Sequence, residues 1–125
     1  MDFRLELFVE DLQTSTRFYE EILGLTFTEK SGTGAVIKQE NFSLLLTAED
    51  ILDENHYFRK DGDLKPKGRG TEIILVSDDI EQLYRDIQVK KYPVESRLKL
   101  QSWGMADFRI IDPDGYYLRI TSNKQ

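Results

Sequence analysis

Cysteine is absent from this chain of 125 residues, and histidine occurs once, as His56. Disulfides, thiolate metal sites and cysteine nucleophiles are excluded together, an absence that agrees with a reducing compartment. One imidazole per chain also rules out an iron site built from two histidines and a carboxylate of the same chain. No run of about eighteen apolar residues exists to cross a bilayer, and the opening MDFRLELFVED lacks the basic and apolar regions of a signal peptide. The expectation is a cytoplasmic protein without a membrane partner. Positive charge is in short supply as well: 17 basic against 23 acidic residues give a formal charge of -6. A grip on phosphate backbones needs clustered Lys and Arg, so nucleic acid is not an expected partner. The short basic stretch LKPKGRG, Leu64 to Gly70, reads as a solvated loop or a ligand-facing lid.

What is present is a chain with patterned apolar residues. With 39% hydrophobic residues, it is long enough for one domain that buries roughly two thirds of its unfolded surface. Phe3, Leu5, Leu7 and Val9 alternate with Arg4, Glu6 and Phe8, the period of a strand with one face on a core. Asp11 then precedes Leu12, Ser15, Thr16, Tyr19, Ile22 and Leu23 at helical spacing, and Gly24 suits a left-handed stop. A helix over Asp11 to Leu23 follows. The runs LTFTEK, GAVIKQ and FSLLLTA, separated by turn-forming residues, predict three strands.

Residues 48–69 are polar and turn-rich, with one helical turn near Ile51, and read as a linker. After them the same order begins again. GTEIILVS is strand-like, and DDIEQLYRDIQ places Ile80, Leu83, Tyr84 and Ile87 on one helical face, with Asp78 and Glu81 at capping-box spacing and Pro93 closing the helix. VESRLKLQS, ADFRIID and YYLRITS supply three strands, the last two joined by a type I turn at Asp112-Pro113-Asp114-Gly115. Asp79 lies 68 positions beyond Asp11 (79 less 11), and that offset lays Tyr19 over Ile87 and Ser15 over Leu83. The chain therefore reads as two βαβββ modules, about 1–47 and 70–125: an α+β fold in which curved mixed sheets enclose a cleft and the helices cover the convex side.

The stretches FVEDLQTSTRFYEEILGL, GRGTEIILVSDDIEQLYRDI and WGMADFRIIDPDGYYLRIT resemble the glyoxalase, bleomycin-resistance and extradiol-dioxygenase superfamily, also called vicinal oxygen chelate. The resemblance implies a cleft-forming pair of modules, frequently within a homodimer. It also implies where metal-dependent members carry ligands, on the first and last strands of each module. At those places this sequence has Arg4, Leu45, Glu72 and Arg119. Guanidinium groups have donors but no lone pair, so no metal and no other cofactor is expected.

Alternation along IIDPDGYYLRIT puts Leu118 and Ile120 toward the helix and Tyr117, Arg119 and Thr121 on the opposite face. Arg119 is thus read as an inward anchor for a carboxylate, phosphate or polar group, paired with Glu72 or Glu6 when no ligand is present. The alternative is that Arg4, Glu6, Glu72 and Arg119 only form salt bridges that order the sheet. Phe8, Ile74 and Val76 would give an apolar floor, and Trp103 and Tyr117 offer rings for stacking. Trp103 is equally suited to packing. His56, beside Tyr57 and Phe58, lines the cleft mouth, acts as a base, or is a surface residue. Ser15 and Ser43 lack a histidine partner and are not read as nucleophiles.

Three function classes follow. The first is a metal-free protein that binds or sequesters a small organic molecule, of the bleomycin-resistance type. The second is a superfamily enzyme, of lyase, isomerase or dioxygenase type. The third is a dimeric interaction or sensor domain with a vestigial cleft.

Overall fold

A computed structural model describes residues 1–59 and 66–123; Leu64 and Lys65 of the basic stretch lie outside that range. The chain forms two units, Met1–Lys65 and Pro66–Gln125. Each is a four-stranded mixed sheet with a helix on one face, an α+β architecture of two tandem βαβββ modules. Among the described residues, no helix is long and apolar enough to cross a membrane.

In the first unit β1 (Phe3–Val9) leads to α1 (Leu12–Arg17), then β2 (Glu29–Lys30), β3 (Gly34–Gln39) and β4 (Phe42–Ala48), in spatial order β1-β4-β3-β2. β1 and β4 are parallel, with Arg4 opposite Ser43 and Glu6 opposite Leu45. Leu7, Val9, Ala35, Ile37, Leu44 and Leu46 are buried, as period-two alternation requires when one face meets a helix. Asp11 caps that helix by accepting from the Thr14 N–H at 3.1 Å.

Helix one departs from the expected regular helix. After Arg17 the chain widens into a π turn over Phe18–Ile22, and the Leu23 N–H reaches back five residues to the Phe18 carbonyl. The widened turn buries the adjacent Phe18 and Tyr19 together, their rings edge to face at 4.9 Å. Gly24, at φ +71°, reverses the chain. The strand expected over LTFTEK shrinks to Glu29–Lys30, the residues in ladder register with β3, with Thr28 just before them donating its N–H to the Val36 carbonyl at 2.8 Å. The turn near Ile51 is a short 3-10 helix, Glu49–Ile51, and a second, Tyr57–Arg59, follows.

The second unit runs β5 (Glu72–Ser77), α2 (Ile80–Val89), β6 (Ser96–Leu100), β7 (Ala106–Ile111) and β8 (Tyr117–Ser122), in spatial order β5-β8-β7-β6. Ile73, Phe108, Ile110, Leu118 and Ile120 are buried on one face of the sheet, and Ile80 and Ile87 of the helix are buried with them. The capping box expected from Asp78 and Glu81 does not form. The cap is Asp79, which accepts from the Gln82 N–H at 3.1 Å, while Asp78 accepts from the Asn123 amide. Gln82, three residues after the cap, turns forward to Asp86 rather than back.

The helix ends in a Schellman motif: the Tyr92 N–H bonds the Ile87 carbonyl and the Lys91 N–H that of Gln88. Lys91 takes the positive φ, +61°, that glycine usually fills. At the end of the chain the Gly115 N–H closes the expected turn on the Asp112 carbonyl at 3.0 Å.

Candidate functional site

β8 is the central positioning element of the second unit, flanked by β5 and β7. Ile74, Arg119 and Arg109 form one row across the three strands; Glu72, Tyr117 and Ile111 form the next, and Val76, Thr121 and Asp107 the one beyond. All nine lie on the face away from α2, because their neighbours in each strand fill the core.

On this face two guanidinium groups stand directly opposite one another, a pairing that repels unless anions intervene. Glu72 intervenes with both oxygens. Its Oε1 lies 3.1 Å from Arg119 Nε, and its Oε2 accepts from Arg109 Nε at 3.4 Å. The Arg119 contact is close enough for an ion pair but off the hydrogen-bonding line, so the buried Nε is left without a true acceptor. Arg109 Nη1 reaches Asp107 Oδ1 at 3.5 Å, and Gln101 Nε2 donates to the same oxygen at 2.7 Å. Asp107 is only 1% exposed, and its second oxygen, Oδ2, has no hydrogen-bond partner among the described residues.

The terminal nitrogens of Arg119 have no partner among the described residues; Glu72 braces the guanidinium at Nε alone. The side chain is thus held by one edge and open at the other. Of the two acids foreseen for Arg119, Glu72 is the one at hand within its own unit. Glu6 accepts from Thr47 Oγ1 at 2.7 Å on the corresponding face of the first sheet.

Ile74 and Val76, 49% and 61% exposed, give this face an apolar margin along β5. Trp103 is half exposed in the turn between β6 and β7, so it is not part of the core. The Tyr117 hydroxyl donates to Glu95 Oε2 at 2.6 Å, and the Tyr92 hydroxyl to the Ile111 carbonyl at 2.6 Å.

Burial, and then the hydrogen bond and charge of Glu95, push the Tyr117 phenol up to about 12; burial and then the Asp112 charge do the same for Tyr92. Both folded values lie above the ordinary 10.0, so the native state holds these protons after the unfolded chain has released them. Their contribution to stability is fully present below pH 10.0 and is lost as pH rises toward and through 12. Denaturant midpoints should therefore fall over that window. A Tyr92→Phe, Tyr117→Phe double variant should show a smaller alkaline loss.

The first unit carries the other sequence-derived candidates. Arg4, Glu6 and Phe8 alternate along β1, away from the buried Leu7 and Val9, and Leu45 faces the same way on β4. The Arg4 guanidinium has no partner among the described residues. His56 and Phe58 come to rest against Phe8, with ring centroids 5.9 and 5.6 Å away, and Tyr57 abuts Phe58. His56 Nδ1 accepts from the Phe58 N–H at 3.1 Å, which places the proton of the neutral ring on Nε2. His56 is therefore held against a ring of the candidate face. Nearer β2, an open hollow of about 230 Å³ is lined by Glu29, Lys30, Val36, Leu45 and Thr47.

The two ladders share one register. Arg4 opposite Ser43 corresponds to Glu72 opposite Tyr117, and Glu6 opposite Leu45 to Ile74 opposite Arg119. Leu45 and Arg119 are the same rung of a duplicated unit, which matches the assignment made from sequence. The profile of the Glyoxalase/Bleomycin resistance protein/Dioxygenase superfamily matches residues 3–120. The chain belongs to this superfamily.

Structural relatives agree on the fold. The chain is similar to a protein of unknown function from Agrobacterium tumefaciens str. C58, at TM-score 0.80 and 24% identity, over 96% of this chain and 91% of that one. It also resembles a lactoylglutathione lyase from Agrobacterium tumefaciens (TM-score 0.70, 22% identity, 98% and 93% covered). A glyoxalase-related enzyme from Fulvimarina pelagi is a third (0.76, 18%, 98% and 88%). No curated protein matches the sequence.

The metal implied by many superfamily members does not suit the residues at hand. Arg4 and Arg119 have no lone pair, Leu45 has no polar atom, and Glu72 is engaged by two arginines. Among the described residues, no group of three His, Asp or Glu side chains is placed to hold an ion.

Arg109 and Asp107 are the two charged residues of this face that the sequence reading passed over, along with Ile111. Their signal was available: ADFRIID alternates just as YYLRITS does, so Asp107 and Arg109 share a face as surely as Tyr117 and Arg119.

Proposed function

We propose that this protein is a metal-free binding protein for a small organic molecule, closest in type to the bleomycin-resistance branch, and that Arg119 anchors an anionic group of the ligand. The open edge of Arg119 carries this reading. Glu72 fixes the guanidinium at Nε while both terminal nitrogens are unpaired among the described residues, the arrangement that a two-pronged bond to a carboxylate needs. An internal salt bridge alone would satisfy the guanidinium more fully. Ile74, directly across from Arg119 and half exposed, suits an apolar ligand body. In this reading Glu72, Trp103 and Tyr117 accompany Arg119 as ligand-facing residues of the second unit, and Arg4, Glu6, Phe8 and Leu45 are the ligand-facing residues of the first.

The test uses purified protein and 3-phenylpropionate as a carboxylate probe with an apolar body. Elemental analysis after dialysis should find no stoichiometric zinc, iron, manganese or nickel, and calorimetry should detect binding. Arg119→Met keeps much of the side-chain length but removes the charge and all donors, and should weaken the probe by about 1.5–3 kcal/mol while the fold persists. Equal binding by parent and variant refutes the anchor. One equivalent of retained metal, with an activity lost on chelation, would establish the enzyme reading instead.

A homodimer in the cytoplasm completes the proposal. A net charge of -6 does not prevent burial of a sizeable apolar interface between two copies. A monomeric mass in sedimentation at high concentration would count against this.

A further inference from the structure

We infer that the ligand of the second unit is amphoteric: beside its carboxylate it presents a nitrogen that donates a hydrogen bond, and Asp107 Oδ2 accepts it. The inference rests on the anchor role of Arg119 and adds the substrate class. Its starting point is the orphan oxygen. A carboxylate oxygen buried without a donor carries an uncompensated desolvation penalty, so a fold keeps one only where something else compensates. Asp107 is 1% exposed, and both of its polar contacts, from Gln101 Nε2 and Arg109 Nη1, fall on Oδ1. Oδ2 is left as an acceptor with nothing to accept.

Charge counting points the same way. Arg109 and Arg119 face Glu72 and Asp107, so the cluster is neutral before a ligand arrives. A phosphate dianion would leave two excess negative charges beside two carboxylates, and a simple carboxylate would leave one. A ligand carrying both a carboxylate and an ammonium leaves none.

The ladder supplies the spacing. Arg109 stands opposite Arg119, and Asp107, two residues before Arg109 on β7, stands opposite Thr121, which is two residues after Arg119 on β8. Residues two apart on one strand face are separated by roughly 7 Å along it, so a guanidinium and a carboxylate of this cluster bracket a group no larger than an amino acid head. The half-exposed Ile74 and Val76 occupy the same two rows on β5, where an apolar body would rest.

A matched series separates the terms: L-phenylalanine has both charges, 3-phenylpropionate lacks the amine, and 2-phenylethylamine lacks the carboxylate. Titration calorimetry on the full chain should show L-phenylalanine binding at least tenfold more tightly than either truncated probe. Asp107→Asn retains an oxygen for Gln101 but puts an N–H₂ where Oδ2 stood, reversing the hydrogen-bond polarity without changing the shape. It should erase the advantage of L-phenylalanine over 3-phenylpropionate and leave 3-phenylpropionate bound at least as tightly as before.

If 3-phenylpropionate equals or exceeds L-phenylalanine in the parent, and Arg119→Met weakens both, the anion anchor stands and the amphoteric inference fails, with water satisfying Oδ2. If L-phenylalanine keeps its advantage in Asp107→Asn, the inference fails as well. Absence of binding by all three probes overturns both readings. Should Asp107→Asn fail to fold, the affinity order in the parent and the response of Thr121→Val, which leaves Asp107 intact and should preserve the order, decide the matter.

Discussion

Phe108→Ala is expected to destabilise the protein by about 3–5 kcal/mol, the range for removing a fully buried aromatic ring. Phe108 is completely inaccessible on β7, opposite Ile120 of β8, and its ring meets Tyr84 of α2 edge to face at 5.1 Å. One side chain therefore joins the middle of the sheet to the helix that covers it. Truncation removes its apolar surface, opens a cavity beneath the helix, and takes away the aromatic partner of Tyr84. Relaxation is limited because Ile110, Leu118 and Ile120 are fixed in paired strands around the gap. Urea denaturation should show a lower midpoint with an unchanged slope. Phe3→Ala supplies the contrast: Phe3 is 64% exposed, and its loss should stay within about 1 kcal/mol.

Gly115→Ala should cost about 2–4 kcal/mol through a different mechanism, backbone strain added to a collision. Gly115 has φ +96°, and a Cβ there would stand 2.4 Å from Pro66 Cβ and 2.8 Å from Pro66 Cα. The second of these atoms is backbone and cannot swing aside. The close approach is maintained because the Lys67 N–H bonds the Asp114 carbonyl at 3.1 Å, while Asp112 Oδ1 accepts from the N–H groups of Asp114 and Tyr116. Gly24→Ala is the proper control. It also needs a positive φ, +71°, but an added Cβ meets nothing within 4 Å. The difference between the two losses, measured by the same denaturation, isolates the steric part.

Strand alternation was the most readable feature of the sequence. β1, β3 and β4 fall on the runs predicted for them, because a sheet with one face on a helix imposes a period of two on every strand. The cap of helix one was equally plain, since Asp11 stands alone before the periodic residues. Helix two begins with two adjacent acids, Asp78 and Asp79, and spacing to Glu81 favoured the wrong one. The backbone decides between neighbours of this kind, and Asp79 begins the turn.

The π turn left no comparable trace: Phe18 and Tyr19 are both compatible with an ordinary helix until the packing that draws both inward is known. On the candidate face, Arg119 and Glu72 were found because the superfamily resemblance pointed to those rungs. Arg109 and Asp107 were not, although the same alternation exposes them. The brace between Glu72 and two arginines depends on which strands are neighbours, a property of topology that strand pattern alone leaves open.

The shared register of the two ladders also shows where the chain tolerates changes of length. The copies stand 68 positions apart at the first strand (72 less 4) and at the helix cap, but 74 apart at the last strand (117 less 43). Six residues have therefore accumulated in the second copy between the helix cap and the last strand, and the helix of the first copy carries a π turn in the same interval. None of this has slipped the first strand against the last. That pair of strands is a chassis, and the hairpins beyond it are the coachwork: an insertion at Gln101–Met105 or at Lys90–Glu95 lengthens an overhang, whereas one residue added to β5 or β8 would turn Glu72 or Arg119 to the wrong side of the sheet.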